Sequence, residues 1–289
     1  MKKILITGKN SYVGNSFAEW VSKYPEEYEV DKISLRDSSW KEKDFSCYDV
    51  VLHVAGIAHQ KETKKNAKSY YVINRDLAVE VAKKAKNSGV GQFIFLSTMS
   101  VYGLDSGEIE LDTPLEPKSN YGKSKLEAEN TINKLTDGTF KVVVLRPPMI
   151  YGKGCKGNYQ RLAMIARMSP IFPNIKNKRS MIYVDNLSEI TRLIIKDKEQ
   201  GLFFPQNQEF VRTSEMVRLI SLYANNKNIA VNRLLNPVIR PFKKLNLIKK
   251  VFGDLVYGQE ISKYRTDYQL FELEESIQQT ERMDGKNNE

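Results

Sequence analysis

The chain has 289 residues, 41% of them hydrophobic, and 45 Lys and Arg against 35 Asp and Glu, a formal charge of +10. That is enough apolar material for a soluble globular protein of one large domain or two unequal lobes, with no run approaching the ~20 apolar residues that span a bilayer. The opening MKKILITGKN enters a strand without a signal-peptide core, which predicts a cytoplasmic location, and Cys47 and Cys155 lack metal-ligand spacing, so no metal site or disulfide framework is expected. The positive charge suits nucleic acid, membrane surfaces or phosphorylated small molecules and does not choose among them.

Taken in order, Lys3-Ile4-Leu5-Ile6-Thr7 reads as a strand, Thr7-Gly8 as a tight turn, and Phe17, Trp20 and Val21 as the apolar face of a helix. Such a turn brings backbone N–H groups at a helix N-terminus up to a pyrophosphate, with glycine where a side chain would block the approach. The usual Gly-x-x-Gly-x-x-Gly is here Gly8, Ser11 and Gly14, and an ordinary strand-to-helix turn is the competing reading. A second strand over 29–35 ends at Arg36-Asp37. In dinucleotide sites an acid at this point takes the adenosine ribose hydroxyls, whereas an arginine suits a 2′-phosphate; with Arg36 first, the reading leans to NADP(H).

Only a short segment with Trp40 and Phe45 precedes the next strand, 49–56, so this half of a doubly wound pattern is abbreviated. His59 follows a strand end, where parallel sheets place their ligands, and is a candidate near the substrate. The lysine-rich piece 61–68 reads as a solvated loop before a helix carrying Val72, Ile73, Leu77 and Val81. The strand beginning at 91 stops in Ser97, Thr98 and Ser100, hydroxyls that either cap the strand end or polarise a carbonyl. Tyr121 and Lys125 then lie one turn apart on one helix face. Alone, that spacing describes a solvated face as well as an acid/base pair, in which the ammonium would lower a phenol pKa of about 10.

From Cys155 the character changes. Residues 155–179 are rich in Lys, Arg, Asn and Pro, as suits a smaller lobe closing over an anionic substrate. Asp185-Asn186 is expected to cap a helix through Leu193, followed by a strand over 201–205 and a helix over 214–223. The basic amphipathic stretch 233–252 either lies on anionic lipid or packs its apolar stripe on the lobe, and packing is expected. Residues 279–289 are expected to fray.

Together these motifs carry a resemblance. Thr7-Gly8-x5-Gly14, His53-Val54-Ala55-Gly56, Ser97-Thr98-x-x-Val101-Tyr102-Gly103, Tyr121-x-x-x-Lys125, Arg146-Pro147-Pro148-Met149-Ile150-Tyr151-Gly152 and Arg179-x-x-x-Tyr183-Val184-Asp185 stand in the order of the extended short-chain dehydrogenases/reductases. Over about residues 3–225 the chain resembles their NAD(P)-dependent epimerase/dehydratase group, which works on nucleotide sugars. The resemblance implies an α/β Rossmann-type, mainly parallel sheet over 1–154 and a substrate lobe over 155–289, with elements returning to the first. It also implies Tyr121 as acid/base, Lys125 as the residue that lowers its pKa and holds the nicotinamide ribose, and Thr98 as the hydroxyl on the reacting oxygen.

Cofactor contacts are implied at Gly8, Ser11, Tyr12, Val13, Gly14, Arg36 or Asp37, Ala55, Gly56, Lys125 and Pro148; substrate contacts at Thr98, His59, Tyr121 and Arg179, the last toward the nucleotide diphosphate. The implied partner is a UDP-sugar, in bacterial-type surface polysaccharide precursor synthesis, and a homodimer is compatible with the resemblance. Met99 and Ser100 stand where 4,6-dehydratases carry an Asp-Glu pair, which disfavours dehydration. Epimerase and 4-ketoreductase remain open, as does a dinucleotide-binding sensor or scaffold of the same fold. A nucleic-acid role is disfavoured, because the charge is spread along the chain without a recognition motif.

Overall fold

The computed structural model describes residues 1–58, 60–236 and 252–282. His59 and residues 237–251 of the basic stretch lie outside the described residues, as do 283–289.

β1 (Lys2–Thr7), β2 (Tyr28–Ile33), β3 (Val50–His53), β4 (Gln92–Leu96), β6 (Lys141–Leu145) and β10 (Gly201–Phe203) form one parallel sheet in the order β10-β6-β4-β3-β1-β2. Its central strands are near-continuous apolar runs because both faces are covered. Ile4 and Ile6 face one way with Leu52, Ile94 and Val143, packed on α1 (Tyr12–Val21) and α6 (Val184–Lys196). Leu5, Val51, Phe93, Phe95 and Val142 face the other way, onto α3 (Leu77–Asn87) and α4 (Asn120–Asn133). The α/β Rossmann-type reading holds. Between β2 and β3 there is only a 3-10 turn, Ser38–Lys41, and Trp40 and Phe45 fill the space a further helix would occupy.

The remaining strands pair in twos: β5 (Gly107–Ile109) with β12 (Leu255–Tyr257), β7 (Met149–Tyr151) with β9 (Met181–Tyr183), and β8 (Ile171–Pro173) with β11 (Ala230–Asn232). With α5 (Asn158–Met168), α7 (Thr213–Asn225) and α8 (Leu273–Glu281) they enclose a second core around Tyr151, Tyr159, Leu162, Met216 and Ile220. β10 and α6 return to the main sheet.

Two expectations are corrected. α6 begins at Val184, with Tyr183 at the cap position, so Asp185 and Asn186 lie in its first turn. Asn186 is instead buried and pairs twice with the Phe271 backbone, at 3.0 and 3.1 Å, which ties down the approach to α8. Residues 279–281 do not fray: they end α8, where the buried Glu281 carboxylate accepts from Tyr159 at 2.7 Å and Arg167 at 2.6 Å. The sequence pattern missed this because an acid that ends a buried helix looks the same as one in a tail.

Candidate active site

A cleft of about 1410 Å³ opens at the C-terminal ends of β1, β3 and β4, at the point where strand order reverses. The turn after β1 builds one wall. Gly8 has φ +102°, and a Cβ on it would lie 3.1 Å from Ala55 Cα and N; its N–H donates to Ile33 O at 2.9 Å. A Cβ on Gly14 would reach Ile6 at 2.8 Å and Val54 at 3.0 Å, so this glycine lets α1 lie against the sheet. Ser11 is the N-cap of α1, and its Oγ accepts from Gly14 N at 3.3 Å. The serine in place of the middle glycine therefore serves the helix it starts. Ser11, Tyr12 and Val13 line the cleft with Ala55, Gly56 and Pro148.

Arg36 also lines it, beside Ser34 and near Lys9, whereas Asp37 does not. The Asp37 carboxylate caps the Ser38–Lys41 turn through Ser39 N at 3.0 Å and the Ser39 hydroxyl, bonds that hold its pKa down.

Tyr121 opens α4 behind its N-cap Ser119, which accepts from Gly122 N at 3.0 Å. Burial raises the Tyr121 phenol pKa above the ordinary value, a hydrogen bond with Thr98 opposes that rise, and Tyr70 adds to it. The expected lowering by Lys125 is not among these effects. Lys125, 5% exposed, donates to Leu96 O at 2.7 Å and lies 4.5 Å from the Phe95 ring centre. Burial lowers its pKa to about 8, against support from Glu129. Thr98 caps the 3-10 turn Met99–Tyr102 through Ser100 N at 3.2 Å, and Met99 and Ser100 face the cleft. Arg179 reaches the cleft from the second lobe, its Nη1 donating to Gly253 O at 3.0 Å; burial lowers its pKa, opposed by Asp254 and Asp105. The structure thus brings Thr98, Tyr121, Lys125, Arg36 and Arg179 to one cavity and leaves Asp37 outside it.

Residues 4–203 match the model of the NAD dependent epimerase/dehydratase family. The chain belongs to that family. It is 29% identical over 247 residues to a UDP-glucose 4-epimerase of Vibrio cholerae, covering 76% of this chain and 75% of that one. A UDP-glucuronic acid 4-epimerase of Bacillus cereus, in complex with UDP-glucuronic acid and NAD, has a similar fold at 21% identity, with a TM-score of 0.74 over 96% of this chain and 97% of that one. So has a dTDP-4-dehydrorhamnose reductase of Bacillus anthracis in complex with NADP, at 22% identity, with a TM-score of 0.64 over 80% and 84%. The family uses NAD(P), and the residues present suit a dinucleotide: a glycine cradle closed to any Cβ, a helix N-terminus and a cationic end at Lys9 and Arg36. No helix of the described residues is long and apolar enough to cross a membrane, and none of their His, Cys, Asp and Glu cluster as metal ligands. Cys47 and Cys155 are free thiols.

Several residues of this family site were not legible in the sequence. Glu62, inside the lysine-rich loop, puts its carboxylate on the N-terminus of α4, accepting from Asn120 N at 2.9 Å and Tyr121 N at 3.0 Å. It thereby offsets the positive end of the helix that carries Tyr121. Asn74 sits in a π-turn, Tyr71–Asp76, between α2 (Ala67–Tyr70) and α3. The widened turn aims its buried amide at Ile57 N (2.8 Å), Ile57 O (3.1 Å) and Ser124 Oγ (3.3 Å), joining the loop after β3 to α4. No local propensity announces a π-turn.

His53 is fully buried, its Nδ1 2.8 Å from the Thr7 hydroxyl and its ring stacked between Phe93 and Phe95, each 5.9 Å away. Burial first, and the charge of Lys125 second, lower its pKa to about 3. An unfolded histidine titrates near ~6.5, so below that pH the unfolded chain takes the extra proton and the folded chain does not. The resulting stability is full above ~6.5 and is lost as pH falls toward about 3, on the order of a few kcal/mol. In His53→Gln the slope of unfolding free energy against pH should flatten between roughly pH 4 and 6. An unchanged slope in denaturant titrations would show that another group carries the acid sensitivity.

Proposed function

We propose that this protein transfers hydride at C4 of a UDP-linked hexose or N-acetylhexosamine, with Tyr121 as acid/base, in precursor synthesis for surface polysaccharide. The observation that carries the reading is that Tyr121, Thr98 and Lys125 line one cleft with the glycine turn after β1. When bound, a nicotinamide supplies or accepts the hydride. Thr98 and Tyr121 line the same cavity, where a sugar carbonyl oxygen would take a hydrogen bond from each. Tyr121 gives its proton to that oxygen in reduction and takes it back in oxidation. The Lys125 ammonium, near neutral pH still mostly charged, would hold the nicotinamide ribose from its place one turn along α4 from Tyr121. Arg179 holds the diphosphate of the sugar carrier. Met99 and Ser100 offer no carboxylate for elimination of water, which supports hydride chemistry without dehydration.

The abbreviated connection between β2 and β3, together with Arg36 at the cleft, supports a 4-ketoreductase over an epimerase. With Asp37 occupied as a turn cap, Arg36 and Lys9 face the adenosine end, which supports NADP(H). The measurement is to incubate the protein with UDP-glucose and UDP-N-acetylglucosamine without added cofactor, then with a 4-keto-6-deoxy sugar and NADPH or NADH. Reduction of the keto sugar is expected, with Arg36→Ala weakening NADPH binding by roughly 10- to 100-fold and NADH little. Sugar interconversion without added cofactor would make it an epimerase; neither reaction would leave dinucleotide binding as its role.

A further inference from the structure

We propose that one face of the second lobe docks on an anionic membrane surface, a role separate from the hydride chemistry. Helix α5 buries Tyr159, Leu162, Ala163 and Ala166 in the lobe and turns Arg161, Met164, Ile165 and Met168 outward, spaced as a single stripe. Met164 is 56% exposed and Met168 78%. The stripe continues past the end of the helix. Ile171 on β8 is in register with Ala230 on β11, and both face out while Phe172 turns inward; β11 then leads to Arg233 and to Leu234, 81% exposed. A monomeric soluble protein seldom leaves such a series of large apolar side chains in water without use.

The cations of α5 are exposed, whereas the carboxylate that pairs with Arg167 of α5, Glu281, is buried. No Asp or Glu occurs in the sequence between Asp137 and Asp185, nor between Glu215 and Asp254, and these two stretches build α5, β8, most of α7 and β11. Arg161, Lys176 and Arg233 are exposed there. Apolar side chains that enter the acyl boundary, with cations at the level of the headgroups, fit an anionic lipid surface. A second copy of the chain fits poorly, because a two-fold contact through this face would oppose like charges. Nucleic acid fits poorly as well, because the exposed apolar groups are aliphatic and offer no stacking platform. Arg161 and Lys156 also line the cleft, so docking on this face would set the mouth of the active site at the lipid headgroups.

The test is co-sedimentation of the full chain with vesicles of mixed phosphatidylglycerol and phosphatidylcholine, and with phosphatidylcholine alone. Sedimentation with the anionic vesicles at low salt is expected, weakened by high salt, and a Met164→Ser/Met168→Ser variant should bind them about tenfold less at unchanged melting temperature and dinucleotide affinity. Absence of binding to anionic vesicles, or binding by the variant equal to the parent, overturns the proposal. So does a parent dimer that the variant splits in analytical ultracentrifugation, since the face would then be covered by a second copy. None of these readouts uses turnover, so they stand or fall apart from the assignment of Tyr121.

Discussion

Tyr121→Phe should keep its fold and its dinucleotide binding and lose turnover by roughly 10²-fold or more. The ring fills the same space, and the N-terminus of α4 is held by Ser119 and Glu62 through backbone groups that the substitution leaves untouched. What disappears is the hydroxyl that meets Thr98, and with it the only proton carrier the proposed chemistry uses at that point. Thr98 retains its cap to Ser100 N, so the cleft should not rearrange. The direction-specific expectation is sharper: with the phenol's pKa raised by burial, the parent's reductive rate should hold steady through neutral pH and fall on the alkaline side, where the proton is lost. Turnover in Tyr121→Phe within a few-fold of the parent would remove this residue from the mechanism, whatever the variant's affinity for dinucleotide.

The second large effect is on stability. Behind Lys125, one turn along α4, the Glu129 carboxylate is buried and meets the Arg146 guanidinium at 2.6 Å, with the Ser97 hydroxyl as a further donor. Arg146 also donates to the Tyr102 hydroxyl at 2.8 Å, and its carbonyl accepts from Tyr257 at 2.7 Å. Arg146→Met should therefore cost about 3–5 kcal/mol, because it leaves a buried carboxylate without its counter-charge. Replacing Glu129 by Met as well should recover most of that loss, since the desolvation penalty goes with the charge. Urea unfolding of both variants measures this. A loss below about 1 kcal/mol in the single variant would mean that water reaches the pair as it does a surface bridge. Because the Glu129 charge supports the protonated form of Lys125, the double variant should also weaken dinucleotide binding at slightly alkaline pH, even where its stability is restored.

The order and type of the main elements were legible because they rest on local periodicity. Ile4, Leu5 and Ile6 form an unbroken apolar run because both faces of that strand are covered, and the spacing of Phe17, Trp20 and Val21 belongs to a helix with one buried face. Tyr121 and Lys125 were legible for the same reason, as a fixed four-residue spacing on α4, and the motifs around them placed the chain in its family. Glu62 was not legible: in a run of lysines its acid looks solvated, and only the folding of that loop back onto α4 gives it the amides of Asn120 and Tyr121.

Sequence by itself determined the α/β class and the glycine turn, and put Thr98, Tyr121 and Lys125 forward as candidates, because local periodicity and the order of the motifs along the chain record both. Tertiary structure alone decided where the charges go. It faced Arg36 into the cleft and spent Asp37 on a turn cap, although the two are adjacent in the chain. It drew Lys125 to the Leu96 carbonyl and made burial the largest influence on Tyr121. It also left Met164 and Met168 outside while burying Leu162 and Ala166 of the same helix. The physical reason is common to all of these: hydrogen-bond partners and desolvation are set by neighbours distant in sequence, and no local pattern records them.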